Sequence, residues 1–373
     1  MRSRSTIIQS DPPRLGGKAS LRGTRVSRHS SGKGNNSKLY NVAVVGATGM
    51  VGQELLRILE SRPFPLRDLR LFATKRSAGR RITFGEREIV VEETTTKSFL
   101  GADLVFISAT DDASRQFAPV AAKAGAVVID DSGVWRMEPD VPLIVPEVNA
   151  DDIVKHKGIL SIPNCVTTPL VMALWPLHRV NPVQRVVVDT YQSVSGTGQA
   201  AVHELVEQTR RVLENHRPSP HVYPHQIAFN LLPEVGSFKD DGYTSEEWKM
   251  AAETRKIMHE PELPLSATCV RVPVYVAHSE AVWVELSRSM DPDTATDILR
   301  KAPGIVVQDD PSISLYPQPL TAAGRDEVFV GRIRHDSSHP KGLAFWLVCD
   351  NLRKGAALNA IQIAEEMIAR GLV

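Results

Sequence analysis

From residue 40 onward, short runs of β-branched and aliphatic residues alternate with segments of helical apolar spacing. Residues 41–45 (Asn-Val-Ala-Val-Val) form such a run, as expected of a parallel strand buried on both faces. Residues 53–60 then place Leu55, Leu56 and Leu59 at helical spacing, and Pro63 ends the pattern. Further strands are predicted at 69–73, 103–109 and 126–130, with a helix at 112–124 and an apolar stretch at 143–145 extending the same sheet. Strands alternating with helices predict an α/β unit, a parallel sheet with helices on both faces. Later in the chain, Leu170, Leu174 and Leu177 predict a helix over 171–179, and Asp291-Pro292-Asp293 starts one into 296–301. Leu352, Ala356, Ile361, Ala364 and Ile368 form a core-type helical stripe. Residues 217–241, with Pro218, Pro220, Pro224 and Pro233, read as a long ordered loop.

Residues 1–38 break this pattern. They hold nine Lys/Arg, eight Ser and a single acid, Asp11, and cannot bury enough apolar surface to offset ordering entropy. The expectation is a disordered extension over 1–39. Its Arg- and Ser-rich, acid-poor composition is that of an organellar transit peptide; the alternatives are a plain extension or an early start codon.

Composition narrows the function classes. Lys+Arg 44 against Asp+Glu 43 gives a net charge of +1, so no basic excess points to nucleic acid or an anionic membrane. The longest clean apolar run, 343–349, is far short of the ~18 residues of a membrane span. Three cysteines without a CxxC, and no HExxH, argue against a disulfide framework or a metal site and favour a reducing compartment. Cys269 and Cys349 lie in strand-like apolar runs and read as core residues.

Chemistry enters at two places. The first strand runs into Gly46-Ala-Thr-Gly49-Met-Val-Gly52 and then a helix. In that context the glycines permit a tight turn, close approach to a pyrophosphate and helix–strand packing, with the helix N-terminus facing the anion. After the second strand no Asp or Glu stands ready for a ribose 2′-hydroxyl; Thr74-Lys75-Arg76-Ser77 follow, which suits a 2′-phosphate and predicts NADP over NAD. The second place is Ile162-Pro-Asn-Cys165-Val-Thr-Thr-Pro169, which sets Cys165 at the start of a helix, where dipole and free N–H groups favour thiolate and could hold an oxyanion. A nucleophilic cysteine needs a base, and His278 stands in a β-prone run seven residues after Arg271. One unbroken strand would turn those two side chains to opposite faces, so a shared pocket requires a break near Pro273 or Ala277-His278. No Tyr-x₃-Lys pair, GxSxG or GxxxxGK[ST] is present.

From Tyr40 to the C-terminus the chain resembles the aspartate-β-semialdehyde dehydrogenase family, on GATGMVG at 46–52, TKRSAG at 74–79, DDSGVWRM at 130–137, IPNCVTTP at 162–169, YQSVSGTG at 191–198, EEWKMAAETRKI at 246–257, RVPVYVAHSEAV at 271–282 and DNLRKGAALNAIQIAE at 350–365. The resemblance implies a Rossmann-type NADP-binding domain, 40–164 with 351–373. It also implies an α+β catalytic and dimerisation domain, 165–350, of the glyceraldehyde-3-phosphate-dehydrogenase type. Cys165 matches the acyl-thioester nucleophile, His278 the acid/base residue and Gln192 a substrate-orienting residue. Arg271 matches the partner of the substrate carboxylate, Glu246, placed three before Lys249, the partner of its amino group, and Arg136 and Lys249 the phosphate-site cations. Gly46, Thr48, Gly49, Met50, Val51, Arg76, Ser77, Ser195, Gly196 and Asn351 match cofactor contacts. The family commonly has Gly before the histidine, where this chain has Ala277. The implied activity is reversible conversion of L-aspartate 4-semialdehyde and phosphate to 4-phospho-L-aspartate with NADP, feeding lysine, threonine, methionine and diaminopimelate synthesis. The implied enzyme is a homodimer or dimer of dimers in the cytoplasm, or in an organelle if the N-terminal segment is a transit peptide. The alternatives are an N-acetylglutamyl-phosphate-type reductase and a non-catalytic homologue.

Overall fold

A computed structural model describes residues 38–373; the expectations for the N-terminal segment fall on residues outside them. The predicted alternation builds a seven-stranded sheet from β1 (Tyr40–Val45), β2 (Leu66–Ala73), β3 (Arg81–Phe84), β4 (Arg87–Glu93), β5 (Leu104–Ile107), β6 (Val127–Asp130) and β7 (Ile159–Ser161). The strand order is β3-β4-β2-β1-β5-β6-β7, and every pairing is parallel except the β3–β4 hairpin. Helices α1 (Met50–Ser61) and α2 (Asp111–Lys123) cover opposite faces, so β1 and β5 are apolar on both. The Leu143–Val145 stretch is not a strand: it makes one parallel bridge, Leu143 to Ser161, before Pro146 opens the short α3 (Pro146–Asn149). β7 holds that edge of the sheet instead. The β3–β4 hairpin escapes a sequence reading because most of its residues are exposed and show no clean alternation.

The second sheet is mixed, in the order β11-β12-β13-β10-β8-β9. Its strands are β8 (Val183–Gln192), β9 (Leu265–Arg271), β10 (His278–Leu286), β11 (Ile305–Val307), β12 (Val328–His335) and β13 (Gly342–Cys349). α4 (Thr167–Val180), α6 (Ser245–Met258) and α7 (Pro292–Arg300) pack on one face, burying Leu170, Leu174, Leu177, Met250, Ile257 and Leu299 against Val188, Val282 and Phe345. α5 (Gln199–Leu213) lies beside the long loop, where Glu204 accepts from the N–H groups of His221 and Val222 and Gln208 from those of Ile227 and Ala228. These bonds order a segment with no helix or strand of its own. The short α8 (Pro319–Ala322) precedes β12.

The chain then returns to the first sheet. A π-type turn at Arg353–Ala357 leads into α9 (Leu358–Ala369), whose Ile361, Ala364 and Met367 are fully buried with Val44, Leu55 and Ile58. Each large aliphatic side chain so buried contributes about 1.5–3 kcal/mol. The last helix is therefore part of the first core.

Candidate active site

The catalytic candidates lie at one end of the second sheet. β9 ends at Arg271, paired with Gln192 of β8, and β10 starts at His278, paired with Cys349 of β13. The chain breaks between them at 272–277, as the spacing required, and Ala277 takes φ +74 at the turn. That left-handed conformation costs a residue with a side chain about 1–2 kcal/mol. The turn is held down: Ala277 N–H donates to Asn351 Oδ1 at 3.0 Å, while Val194 and Ser195 N–H donate to the carbonyls of Val274 and Tyr275. Asn351 Oδ1 also accepts from Ser195 Oγ at 3.0 Å.

Arg271 is buried, and among the described residues the one hydrogen bond of its side chain runs from Nη1 to the Ser193 carbonyl at 2.8 Å. Its Nε is buried without a partner, and it forms no ion pair among the described residues. A buried guanidinium left without an anion is costly, so the site is built for one that arrives with a ligand. Arg136, the other buried arginine, is compensated: Nη1 donates to Glu253 Oε1 at 3.1 Å, and Nη2 to the Asp131 carbonyl at 2.8 Å. Glu253 is 1% exposed, and its second oxygen accepts from the Asn164 N–H at 2.7 Å, next to Cys165. Burial pushes the nearby Asp131 carboxyl up to about 6, with Arg136 opposing.

The geometry distinguishes the two adjacent glutamates. Glu247 closes the capping box of α6 with Thr244 and accepts from the Cys269 N–H at 2.8 Å, so it serves the fold. Glu246 turns instead to the residues around Cys165, accepting from Asn164 Nδ2 at 2.8 Å and Gln192 Nε2 at 3.4 Å, with Lys249 Nζ 3.5 Å away. Glu253 and Ser193, which the sequence reading did not single out, are also at the site; Glu253 lies seven residues after Glu246, on the same helical face, which is the signal that could have found it.

Cys165 precedes α4 and is partly exposed, with its Cβ against the π-turn: a Cβ added to Gly355 would come within 3.2 Å of it. The surroundings work against the expected thiolate. Burial pushes the thiol up to about 12; Glu246 adds to this, and Arg271 and Arg136 oppose it. The helix end offers less than its position promises, because Asn164 takes the Val166 N–H with Oδ1 and the Thr168 N–H with its carbonyl, and Pro169 has none. In the ligand-free protein, alkylation of Cys165 by iodoacetamide is expected to be slow at neutral pH and to climb about tenfold per pH unit through the alkaline range. A plateau near pH 8 in the measured rates would contradict this assignment. Cys269 and Cys349 are fully buried in β9 and β13, as expected.

His278 is buried, and burial and Arg271 hold its pKa well below the usual imidazole value. Nδ1 accepts from the Ser193 N–H at 2.9 Å, and Nε2 is buried without a partner.

The nucleotide turn fits an anion. Gly46 has φ +85, and a Cβ there would lie 1.9 Å from the Ser108 carbonyl oxygen; on Gly52 it would lie 2.2 Å from that of Gly46. These close approaches draw the α1 N-terminus against the strand. Gly49 caps that helix with no side-chain bond, and the first turn holds no acid, so the N–H groups of Met50, Val51 and Gly52 are free of intrahelical acceptors. Beyond β2, Arg76 is exposed and Ser77 buried in the turn that follows Ala73. The parallel register also brings Glu93 of β4 level with Ala73, an acid that a linear reading of the segment after β2 overlooks. Among the described residues no His/Cys/Asp/Glu group is set to hold a metal, and no helix is long and apolar enough to cross a membrane.

Comparisons with known proteins agree with this architecture. Residues 41–156 match the model for the semialdehyde dehydrogenase NAD binding domain, and residues 174–354 the model for the semialdehyde dehydrogenase dimerisation domain. The chain is 49% identical over 338 residues to an aspartate-semialdehyde dehydrogenase of Aquifex aeolicus, covering 90% of this chain and 99% of that one. It is 47% identical over 343 residues to that of Bacillus subtilis, covering 89% and 99%. Among solved structures, aspartate semialdehyde dehydrogenase II of Vibrio cholerae complexed with ASA superposes with a TM-score of 0.87 at 40% identity, covering 89% of this chain and 99% of that one. The Candida albicans enzyme with NADP superposes with a TM-score of 0.72 at 27% identity, covering 90% and 100%.

Proposed function

The chain belongs to the aspartate-semialdehyde dehydrogenase family, and from that premise we propose that it interconverts L-aspartate 4-semialdehyde and 4-phospho-L-aspartate, using phosphate and NADP, through a thioester on Cys165. The observation that carries this reading is Arg271, a buried guanidinium without an anion, near Cys165 together with Glu246 and Gln192. Arg271 takes the substrate carboxylate, for which its planar fork is suited. Glu246 takes the amino group. An N-acylated substrate has no cationic amino group for that carboxylate, which disfavours the N-acetylglutamyl-phosphate alternative.

Cys165 attacks the aldehyde carbon, and Gln192, held between Thr190 and Glu246, orients the substrate. His278 meets the carbonyl oxygen through Nε2. Arg136 and Lys249 hold the phosphate that attacks the thioester, whose carbonyl is activated enough to yield an acyl phosphate. When bound, the nicotinamide nucleotide supplies the hydride acceptor. Gly46, Thr48, Gly49, Met50, Val51, Arg76 and Ser77 bind it, together with Ser195, Gly196 and Asn351 near His278. In this reading 40–164 with 351–373 form the NADP-binding domain and 165–350 the catalytic and dimerisation domain of a cytoplasmic homodimer or dimer of dimers. The enzyme feeds lysine, threonine, methionine and diaminopimelate synthesis.

The test is NADPH formation from L-aspartate 4-semialdehyde and NADP, expected to require phosphate; turnover without phosphate, or none at all, counts against the reading. Arg76→Ala is expected to raise the KM for NADP by roughly 10–100-fold, the worth of a charge-assisted bond, and to leave that for NAD nearly unchanged. An equal rise for both nucleotides would separate Arg76 from the 2′-phosphate.

A further inference from the structure

The face of α6 that supplies Glu246, Lys249 and Glu253 to the site continues into Lys256, all four within the EEWKMAAETRKI stretch at spacings of three, four and three. Lys256 is half-buried, and its Nζ donates to three main-chain carbonyls: Arg136 at 2.7 Å, Glu138 at 2.8 Å and Val141 at 2.9 Å. An ammonium has three N–H groups, so none is left over for a ligand. The three carbonyls belong to one short stretch between β6 and α3. That stretch is closed on itself by the Glu138 N–H on the Trp135 carbonyl and the Val141 N–H on the Glu138 carbonyl. Carbonyl oxygens turned to a common centre repel one another, and a cation placed there reverses the sign of that interaction.

The consequence falls on Arg136. Its guanidinium donates to Glu253 and its carbonyl accepts from Lys256, so the head and the main chain of one residue are fixed to one helix, three positions apart. Bonds with an ionised partner are the strong ones. The last turn of α6 is tied down as well: at its C-cap, His259 Nε2 lies 2.8 Å from Asp152 Oδ2. Lys249 stands on the same helix, seven residues before Lys256. The two cations assigned to phosphate thus share one frame, Lys249 by standing on α6 and Arg136 by being bound to it twice.

We propose that Lys256 is the positioning residue of the phosphate site: it holds the main chain of Arg136 against α6 and so fixes the Arg136 guanidinium relative to the Lys249 ammonium, without touching phosphate itself. The inference rests on Arg136 and Lys249 as the phosphate cations and on Cys165 as the nucleophile. It assigns Lys256 to one half of the reaction. The aldehyde, bound by Arg271 and Glu246, gives up its hydride before phosphate attacks, and Lys256 bonds to neither of those side chains. Attack on the thioester needs the phosphate placed against the carbonyl carbon, where a displacement of about 1 Å costs on the order of 10²-fold.

The test separates the two halves. Enzyme mixed with NADP and L-aspartate 4-semialdehyde in the absence of phosphate is expected to form about one NADPH per active site, in a burst, as the thioester accumulates. Lys256→Met removes the charge and all three donors and keeps a stem that suits a helix. Its burst and its KM for the aldehyde are expected to stay within about twofold of wild type, while its KM for phosphate rises by on the order of 10–100-fold. Lys256→Arg keeps the charge and offers N–H donors to the same carbonyls, and is expected to recover most of that rise. Lys256→Gln, with an amide NH₂ and no charge, is expected to fall between the two, and carries the comparison if the methionine variant does not fold. An unchanged KM for phosphate, a burst that falls in step with it, or equal rises in the arginine and methionine variants overturns the proposal. Wild-type protein that gives no burst, or that turns over without phosphate, overturns the reading of the site and this inference with it. A wild type that behaves as that reading requires, beside variants that do not split the two halves, overturns the inference alone.

Discussion

Cys165→Ala is expected to lower phosphate-dependent NADPH formation by on the order of 10⁴-fold or more, the scale on which losing a covalent nucleophile acts. Binding of NADP should stay within about twofold, and stability within about 1 kcal/mol, because the change removes one small, partly exposed side chain. Cys165→Ser should be nearly as inactive: its hydroxyl is a poorer nucleophile at neutral pH, and an oxygen ester resists attack by phosphate. Titration of NADP by fluorescence alongside the turnover assay checks both halves. A variant that binds NADP and keeps more than a few per cent of turnover would remove Cys165 as the reacting atom.

Glu253→Leu has the largest expected effect on stability. The change strips Arg136 of its nearer carboxylate partner, leaving Asp131 at 4.0 Å, and leaves the Asn164 N–H without an acceptor, all in the interior. Breaking a buried pair on one side costs about 3–5 kcal/mol. Urea unfolding should register that loss. The double variant Glu253→Leu/Arg136→Met should recover most of it, since replacing both partners of a buried pair by apolar side chains is often neutral. It should not recover the use of phosphate, because the cation is gone. If the single variant unfolds like the wild type, the Arg136–Glu253 pair does not hold this region.

The features legible in the sequence were those with local causes. The glycine turn at Gly46–Gly52 and the flanking strand and helix follow from periodicity and backbone sterics, which act over a few residues, whereas the break between Arg271 and His278 was expected only if the two share a pocket. The identity of the site residues came from motif resemblance, Glu246 being chosen over Glu247 by its spacing of three before Lys249; the capping box that engages Glu247 gives that choice a structural reason. What stayed hidden depends on distant partners. Glu253 becomes notable only when Arg136, 117 residues earlier, and the Asn164 N–H converge on it. The surroundings of Cys165 stayed hidden for a related reason: position before a helix suggests free N–H groups, but the Asn164 side chain and carbonyl take two of them. Ser193 could not be distinguished from any other serine until its backbone was seen against an imidazole 85 residues away. The 143–145 run failed for a local reason, since Pro142 and Pro146 leave room for a single bridge.

The return of α9 to the first sheet has a consequence for biosynthesis. The β-strands of that sheet are complete once Ser161 has been made, yet the helix that covers part of their apolar face begins at Leu358. At ~5–20 residues per second, a ribosome takes roughly 10–40 s to cover that interval. During this time the nascent chain carries an uncovered greasy surface beside Val44 and Leu55. A cell making this protein quickly therefore has to shield that surface, which makes its yield sensitive to the supply of chaperones and to stalled or prematurely ended translation near the last codons of the message.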